Sequence, residues 1–154
     1  MSSSRILPFQ HSASAKKADH RAMRVLIVDD EEPMRRLVDA ILRDAGYETT
    51  LAGDGDEAIA ISAKAPVFNL LITDEMMPRM AGHQLARYMR ERFLDIKVLY
   101  LSGFRDHLLK ENGSLWADEA FLEKPCTPDE LVQAVSLLLF GPLTQSQPEN
   151  ADRS

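Results

Sequence analysis

Asp29 and Asp30 stand side by side near the start of the chain, Asp74 lies far beyond them, and Ser102 and Lys124 farther still. Gathered in one place, these residue types could handle a phosphoryl group. Three carboxylates at close range cannot all stay ionised without a counter-charge. A hard divalent cation with oxygen ligands supplies it. Mg2+ in particular binds through one or two carboxylates, keeps several waters and accepts phosphate oxygens. The Lys124 ammonium is a point charge that can balance a carboxylate or an incoming phosphoryl group. The Ser102 hydroxyl can donate to a phosphoryl oxygen. One carboxylate can then act as the nucleophile and form an aspartyl-phosphate, with catalysis resting mostly on alignment and charge neutralisation. Taken singly, each residue has a plainer meaning: an acidic pair is often a helix cap, and a strand-end serine a turn residue.

Gathering them is a task for the elements between. Val25-Leu26-Ile27-Val28 is a short, wholly apolar, β-branched run, the pattern of a strand covered on both faces. Met34, Leu37, Val38, Ile41 and Leu42 then fall on one helical stripe, with Pro33 in the first turn and Gly46 at the stop. Tyr47 to Ala52 reads as a second strand, and Asp54-Gly55-Asp56-Glu57 has capping-box spacing before a helix from Ala58 to Ala63. A third strand covers Phe68 to Thr73. A helix over His83 to Phe93 turns Leu85, Tyr88, Met89 and Phe93 inward, and a fourth strand runs from Ile96 to Leu101. A short helix near Asp106–Lys110 and a short strand at Ala120 to Leu122 follow. Thr127-Pro128-Asp129-Glu130 opens the last helix, with Leu131, Val135, Leu138 and Leu139 as its buried stripe.

Strands alternating with helices imply an α/β fold with a five-stranded parallel sheet and helices on both faces. Right-handed crossovers align the strands in one direction, so their carboxyl ends share one edge, where open α/β sheets bind ligands. Asp29 and Asp30 follow the first strand, Asp74 the third, Ser102 the fourth and Lys124 the fifth. Coincidence at four strand ends is hard to assign to chance.

Composition bounds the rest. The 154 residues suit one domain. The net charge of −6 argues against a nucleic-acid footprint. Of the 18 basic and 24 acidic residues, five basic and one acidic fall in the first 24, so the body of the chain is strongly acidic. Cys126 is the only cysteine, which excludes an internal disulfide and suits a reducing compartment. No apolar run approaches the ~20 residues of a membrane span, and Ile6-Leu7-Pro8-Phe9 is too short for a signal peptide. Residues 1–22 read as a flexible arm, 23–141 as the folded domain, and 142–154 as a disordered polar tail.

Val25-Leu26-Ile27-Val28-Asp29-Asp30-Glu31, Asp74-Glu75-Met76-Met77-Pro78, Leu101-Ser102-Gly103 and Lys124-Pro125 together resemble the CheY-like receiver domain of bacterial two-component response regulators. The resemblance covers about Met23 to Phe140. It implies a flavodoxin-like doubly wound fold and a phosphorelay signalling role. By similarity, Asp74 is the phosphoacceptor, and its donor is a phosphohistidine on a histidine kinase or phosphotransfer protein, or a small phosphodonor. Asp29, Asp30 and Asp74, with the backbone carbonyl of Met76, match the Mg2+ ligands. Ser102 and Lys124 match the phosphoryl-binding pair, Ser102 and Phe121 the switch residues, and Lys124–Pro125 the cis peptide.

The resemblance leaves alternatives open. Phe121 stands where relatives often carry Tyr, so it reads equally as a switch or a core aromatic. Met76 and Phe104, both apolar, either slow water attack on the acyl phosphate or simply pack. Glu31 and Glu32 read as first-turn acids, Glu75 as exposed, and the histidines as bystanders. A phosphorelay intermediate and a degenerate docking module are the alternative functions. A phosphatase of this chemistry would need a substrate cap, which no insertion supplies. The expectation is therefore a cytoplasmic, non-enzymatic signalling module that catalyses only its own phosphorylation and dephosphorylation. Its target is a protein, reached through the face of the fourth helix, fifth strand and fifth helix, with homodimerisation through that face left open. Too few residues follow Phe140 for an output domain, so the module reads as stand-alone or as a receiver of hybrid-kinase type.

Overall fold

The computed structural model describes residues 23–65, 67–103 and 118–141. The arm, the tail, Phe104 and the short helix near 106–110 lie outside the described residues. Among the described residues nine elements follow in order: β1 (Arg24–Val28), α1 (Glu32–Asp44), β2 (Glu48–Ala52), α2 (Gly55–Lys64), β3 (Leu70–Thr73), α3 (Gly82–Arg92), β4 (Lys97–Ser102), β5 (Glu119–Glu123) and α4 (Pro128–Phe140). The strands form one sheet in the order β2-β1-β3-β4-β5. Every neighbouring pair is parallel. This is the flavodoxin-like doubly wound arrangement, whose strand order reverses between β1 and β3.

Alternation along each strand builds two cores. Leu26 and Val28 of β1 face α2 and α3, packing with Leu71, Leu85, Met89 and Tyr100. Val25 and Ile27 face α1 and α4, packing with Val38, Leu42, Leu131 and Val135. Burial on both faces is why the β1 run shows no polar alternation.

Local chemistry ends the helices where the sequence signals it. The Thr127 hydroxyl accepts the Glu130 N–H at 3.1 Å, and Glu130 Oε1 accepts the Thr127 N–H at 2.9 Å. Asp54 caps α2 by accepting the Glu57 N–H at 2.8 Å. Gly46 stops α1 at φ 103°, a conformation open to glycine. Ala81, which precedes α3, offers no side-chain cap.

Two inward assignments fail. Leu37 is 52% exposed and Tyr88 39% exposed. Each lies one residue, about 100° of helix turn, before a buried neighbour, Val38 or Met89, and so sits on the flank of its stripe. β3 also starts at Leu70 rather than Phe68. Phe68 is buried beside the strand, meeting Phe93 edge to face at 5.8 Å.

The join between β3 and α3 is closely packed. A Cβ on Gly82 would lie 2.2 Å from the backbone oxygen of Asp74, whereas one on Gly103 would meet nothing within 4 Å. Gly82→Ala is therefore expected to lower the urea midpoint, costing about 1–3 kcal/mol as overpacking does. Gly103→Ala should stay within about 0.5 kcal/mol of the parent. Equal effects at the two positions would mean that the Asp74 backbone yields freely.

Candidate functional site: an acidic pocket at the carboxyl edge of the sheet

Adjacent parallel strands deliver the carboxylates. Val28 pairs with Thr73 at the ends of β1 and β3, so the next residues, Asp29 and Asp74, emerge side by side. The Asp74 N–H bonds the Val28 oxygen at 3.2 Å, and the Asp29 N–H bonds the Ala52 oxygen at 3.3 Å. Asp29, Asp30 and Asp74 each place one carboxylate oxygen within 4.8 Å of the others. Asp29 and Asp74 are buried and Asp30 is exposed, leaving one side of the cluster open to solvent.

β5 delivers the cation. Ser102 pairs with Glu123, and the following Lys124 N–H bonds the Ser102 oxygen at 3.1 Å. Lys124 Nζ then reaches Asp29 Oδ2 at 3.1 Å, Asp74 Oδ2 at 3.6 Å and Glu31 Oε1 at 3.8 Å. The Lys124–Pro125 peptide is cis. Ser102 is fully buried at the end of β4. Phe121, in register with Tyr100, is half-buried against the core shared with α2 and α3.

The electrostatics are lopsided. Burial pushes the Asp74 carboxyl above the usual range; Lys124 pulls it back, but Asp29 and Asp30 add to the rise. Burial works against the Lys124 ammonium too, yet attraction by Asp74, Asp29 and Glu31 outweighs it and raises its pKa. Both pKa values rise, with opposite consequences: the charged form of Lys124, which faces three carboxylates, is favoured, whereas that of Asp74, which faces one ammonium and two carboxylates, is disfavoured. The pocket holds more negative charge than its lysine can balance. Its all-oxygen, carboxylate-rich donor set fits a hard divalent cation.

Several bonds aim these groups. Asp29 Oδ1 accepts the Glu31 N–H at 2.9 Å, and its backbone oxygen accepts from Arg35 Nη1 at 2.6 Å. Asp74 Oδ1 accepts the Met76 N–H at 3.3 Å, while the Met76 side chain is exposed. The Thr73 hydroxyl donates to the Asp74 backbone oxygen at 2.9 Å. Sequence reasoning missed Arg35, which reads as an ordinary helix-surface residue, and Gly82, whose close approach to Asp74 appears only in three dimensions.

Glu75 and His83 need correction. Glu75 is fully buried rather than exposed. Its Oε1 accepts the His83 N–H at 2.9 Å, and its Oε2 lies 2.6 Å from His83 Nδ1. Gln84 Oε1 accepts the Ala81 N–H at 2.9 Å, but Ala81 has no side-chain oxygen to take the His83 N–H, and the Glu75 carboxylate takes it instead. The absence of Ser, Thr, Asp or Asn at position 81 was the available signal.

Comparisons with known proteins agree with this geometry. The family model described as "Response regulator receiver domain" matches residues 25–136. The chain is 34% identical over 118 residues to the response regulator receiver protein CpdR of Brucella abortus, covering 77% of this chain and 98% of CpdR. It is 32% identical to the transcriptional regulatory protein DltR of Streptococcus agalactiae, but the match spans 75% of this chain and only 51% of DltR. Among solved structures, the chemotaxis protein CheY4 of Vibrio cholerae superposes with a TM-score of 0.65 at 32% identity, covering 76% of this chain and 98% of CheY4. The receiver domain of the hybrid histidine kinase CckA gives a TM-score of 0.64 at 32% identity, covering 75% and 98%. With its doubly wound sheet and acidic pocket, the chain belongs to the response regulator receiver domain family, the phosphoacceptor modules of two-component signalling.

Proposed function

We propose that the chain accepts a phosphoryl group onto Asp74 from a phosphohistidine donor, on a histidine kinase or a phosphotransfer protein, and thereby switches a protein-binding face. The observation that carries this reading is the convergence of Asp29, Asp30 and Asp74 within 4.8 Å, with Lys124 at 3.1 Å from Asp29 and 3.6 Å from Asp74. An Asp74 carboxylate oxygen attacks phosphorus, the P–N bond of the donor breaks, and its electron pair returns to the imidazole. The carboxylate becomes an acyl phosphate. Asp29, Asp30, Asp74 and the Met76 carbonyl would hold Mg2+, which supplies charge neutralisation for the phosphoryl oxygens. Lys124 would pair with the same oxygens once Asp74 is phosphorylated. Ser102, at the end of the neighbouring strand, would donate its hydroxyl to the phosphoryl group, and Phe121 would respond on β5. A two-state shift of this kind requires the phosphoryl group to bind one state better than the other.

The module is assigned no substrate turnover beyond its own phosphorylation and dephosphorylation. The hybrid histidine kinase that hosts the CckA receiver is a precedent for the donor class. The single cysteine of this chain, Cys126, fits a reducing cytoplasm. No described helix is long and apolar enough to cross a membrane.

A phosphotransfer assay with Mg2+ is the direct test. Acid-labile incorporation is expected at one phosphate per chain and lost in Asp74→Ala. Labelling that survives this substitution, or none in the parent, would sink the assignment, and the latter would favour a docking module. Met76→Asn should speed loss of the label if the exposed methionine slows water attack; an unchanged lifetime removes that idea.

The lopsided charge gives a second test. Because burial raises the Asp74 carboxyl above its unfolded value, its ionisation penalises the fold at pH above the raised value. The penalty fades as pH falls through that value and is gone below the unfolded carboxyl range near ~4. Without divalent cation, Asp74→Asn should therefore melt higher than the parent at neutral pH, with the gap closing on acidification. Mg2+ at a hundred times its Kd should stabilise the parent by about 2.7 kcal/mol and Asp29→Asn far less. Thermal melts that ignore both pH and Mg2+ would count against a shared cation.

A further inference from the structure

The first N–H groups of a helix have no partners within it, and at α3 the usual remedy is missing because Ala81 has no side-chain oxygen. Glu75 fills the gap from outside. Its backbone oxygen accepts the Gly82 N–H at 3.0 Å and its Oε1 accepts the His83 N–H at 2.9 Å. Its Oε2 lies 2.6 Å from His83 Nδ1, within hydrogen-bond distance. Because the side chain of Glu75 is fully buried, these bonds are its replacement for water.

The same residue is covalently next to Asp74. On one side of the acceptor, the Thr73 hydroxyl bonds the Asp74 backbone oxygen, and Gly82 lies against that oxygen closely enough to exclude a Cβ. On the other side, the Met76 N–H bonds Asp74 Oδ1. Glu75 joins the two sets of contacts. A carboxylate bound to two groups on α3 fixes the peptide that links the acceptor to the Met76 loop.

From these contacts we infer that Glu75, gripped by His83, is a positioning residue for phosphoryl acceptance: it caps α3 in place of Ala81 and fixes the direction in which Asp74 presents its carboxylate. The inference rests on the reading of Asp74 as acceptor. It differs from a purely structural cap in what a substitute cap can restore. Any good acceptor at position 81 would satisfy the helix. Only an acceptor at position 75 ties the helix to the residue beside Asp74.

The experiment compares the parent, Glu75→Ala, Ala81→Asp and the double variant as full chains, with Mg2+ and acetyl phosphate as donor. Glu75→Ala is expected to lower the urea midpoint and slow labelling about tenfold, since a displacement near 1 Å can cost up to ~100-fold. The double variant is expected to regain the midpoint while labelling stays slow. Labelling that recovers together with the midpoint, or parent-like labelling in Glu75→Ala, overturns the positioning role. Should Glu75→Ala not fold alone, the double variant compared with Ala81→Asp carries the test, because both hold the same cap at position 81 and differ only at position 75. Slow labelling of the double variant then supports the role, and labelling equal to that of Ala81→Asp overturns it. No label on the parent overturns the acceptor reading and this inference together, whereas a labelled parent with an unslowed variant overturns the inference alone.

Discussion

Charge crowding at one edge of the sheet is the constraint from which the rest of the structure follows. Two unit charges at 4 Å repel by about 4 kcal/mol at an effective dielectric near 20, and this site brings together three carboxylates whose oxygens lie within 4.8 Å. One ammonium offsets part of that repulsion. No flexible loop would hold such an arrangement, because a loop would relax until the carboxylates separated. β1 and β3 can hold it, since each is buried on both faces and hydrogen-bonded along both edges. The unfavourable charge is carried by the part of the fold least able to move.

The helices divide the remaining work. α2 and α4 begin with caps encoded beside them, at Asp54 and Thr127, and their starts are independent of the pocket. α3 begins with no such cap and draws on Glu75. α1 begins next to the Asp29–Asp30 pair and returns Arg35 to the Asp29 backbone oxygen. The two helices that follow the two acidic strand ends are thus bonded back to them. Those bonds hold the loops that carry the charges, which would otherwise spring apart.

Most of the fold was legible in the sequence. Apolar β-branched runs marked the strands, and alternation with amphipathic helices required parallel pairing. The strand ends were legible too, because Asp29, Asp74, Ser102 and Lys124 each lie within two residues of the end of an apolar run. What the sequence hid was direction. Glu75 reads as a solvent acid because its neighbours in the chain are a loop, and its burial depends on α3 returning over it. Leu37 and Tyr88 read as core because a stripe has no sharp border in one dimension, and the flank is set by how far the neighbouring helix reaches. Arg35 carried no signal, since an arginine in the first turn of a helix has no visible partner until the chain folds.

The placement of Lys124 links the pocket to the outer strands. Its N–H is bonded to the Ser102 oxygen, so the ammonium that balances Asp29 and Asp74 is tied to the end of β4. Upstream in the same register, Leu101 pairs with Leu122 and Tyr100 with Phe121. Parallel strands held at three successive pairs cannot slide past each other without breaking the ladder, and a slip of one residue would turn each side chain to the opposite face. A pull on Ser102 is therefore borne by β5 as well as β4.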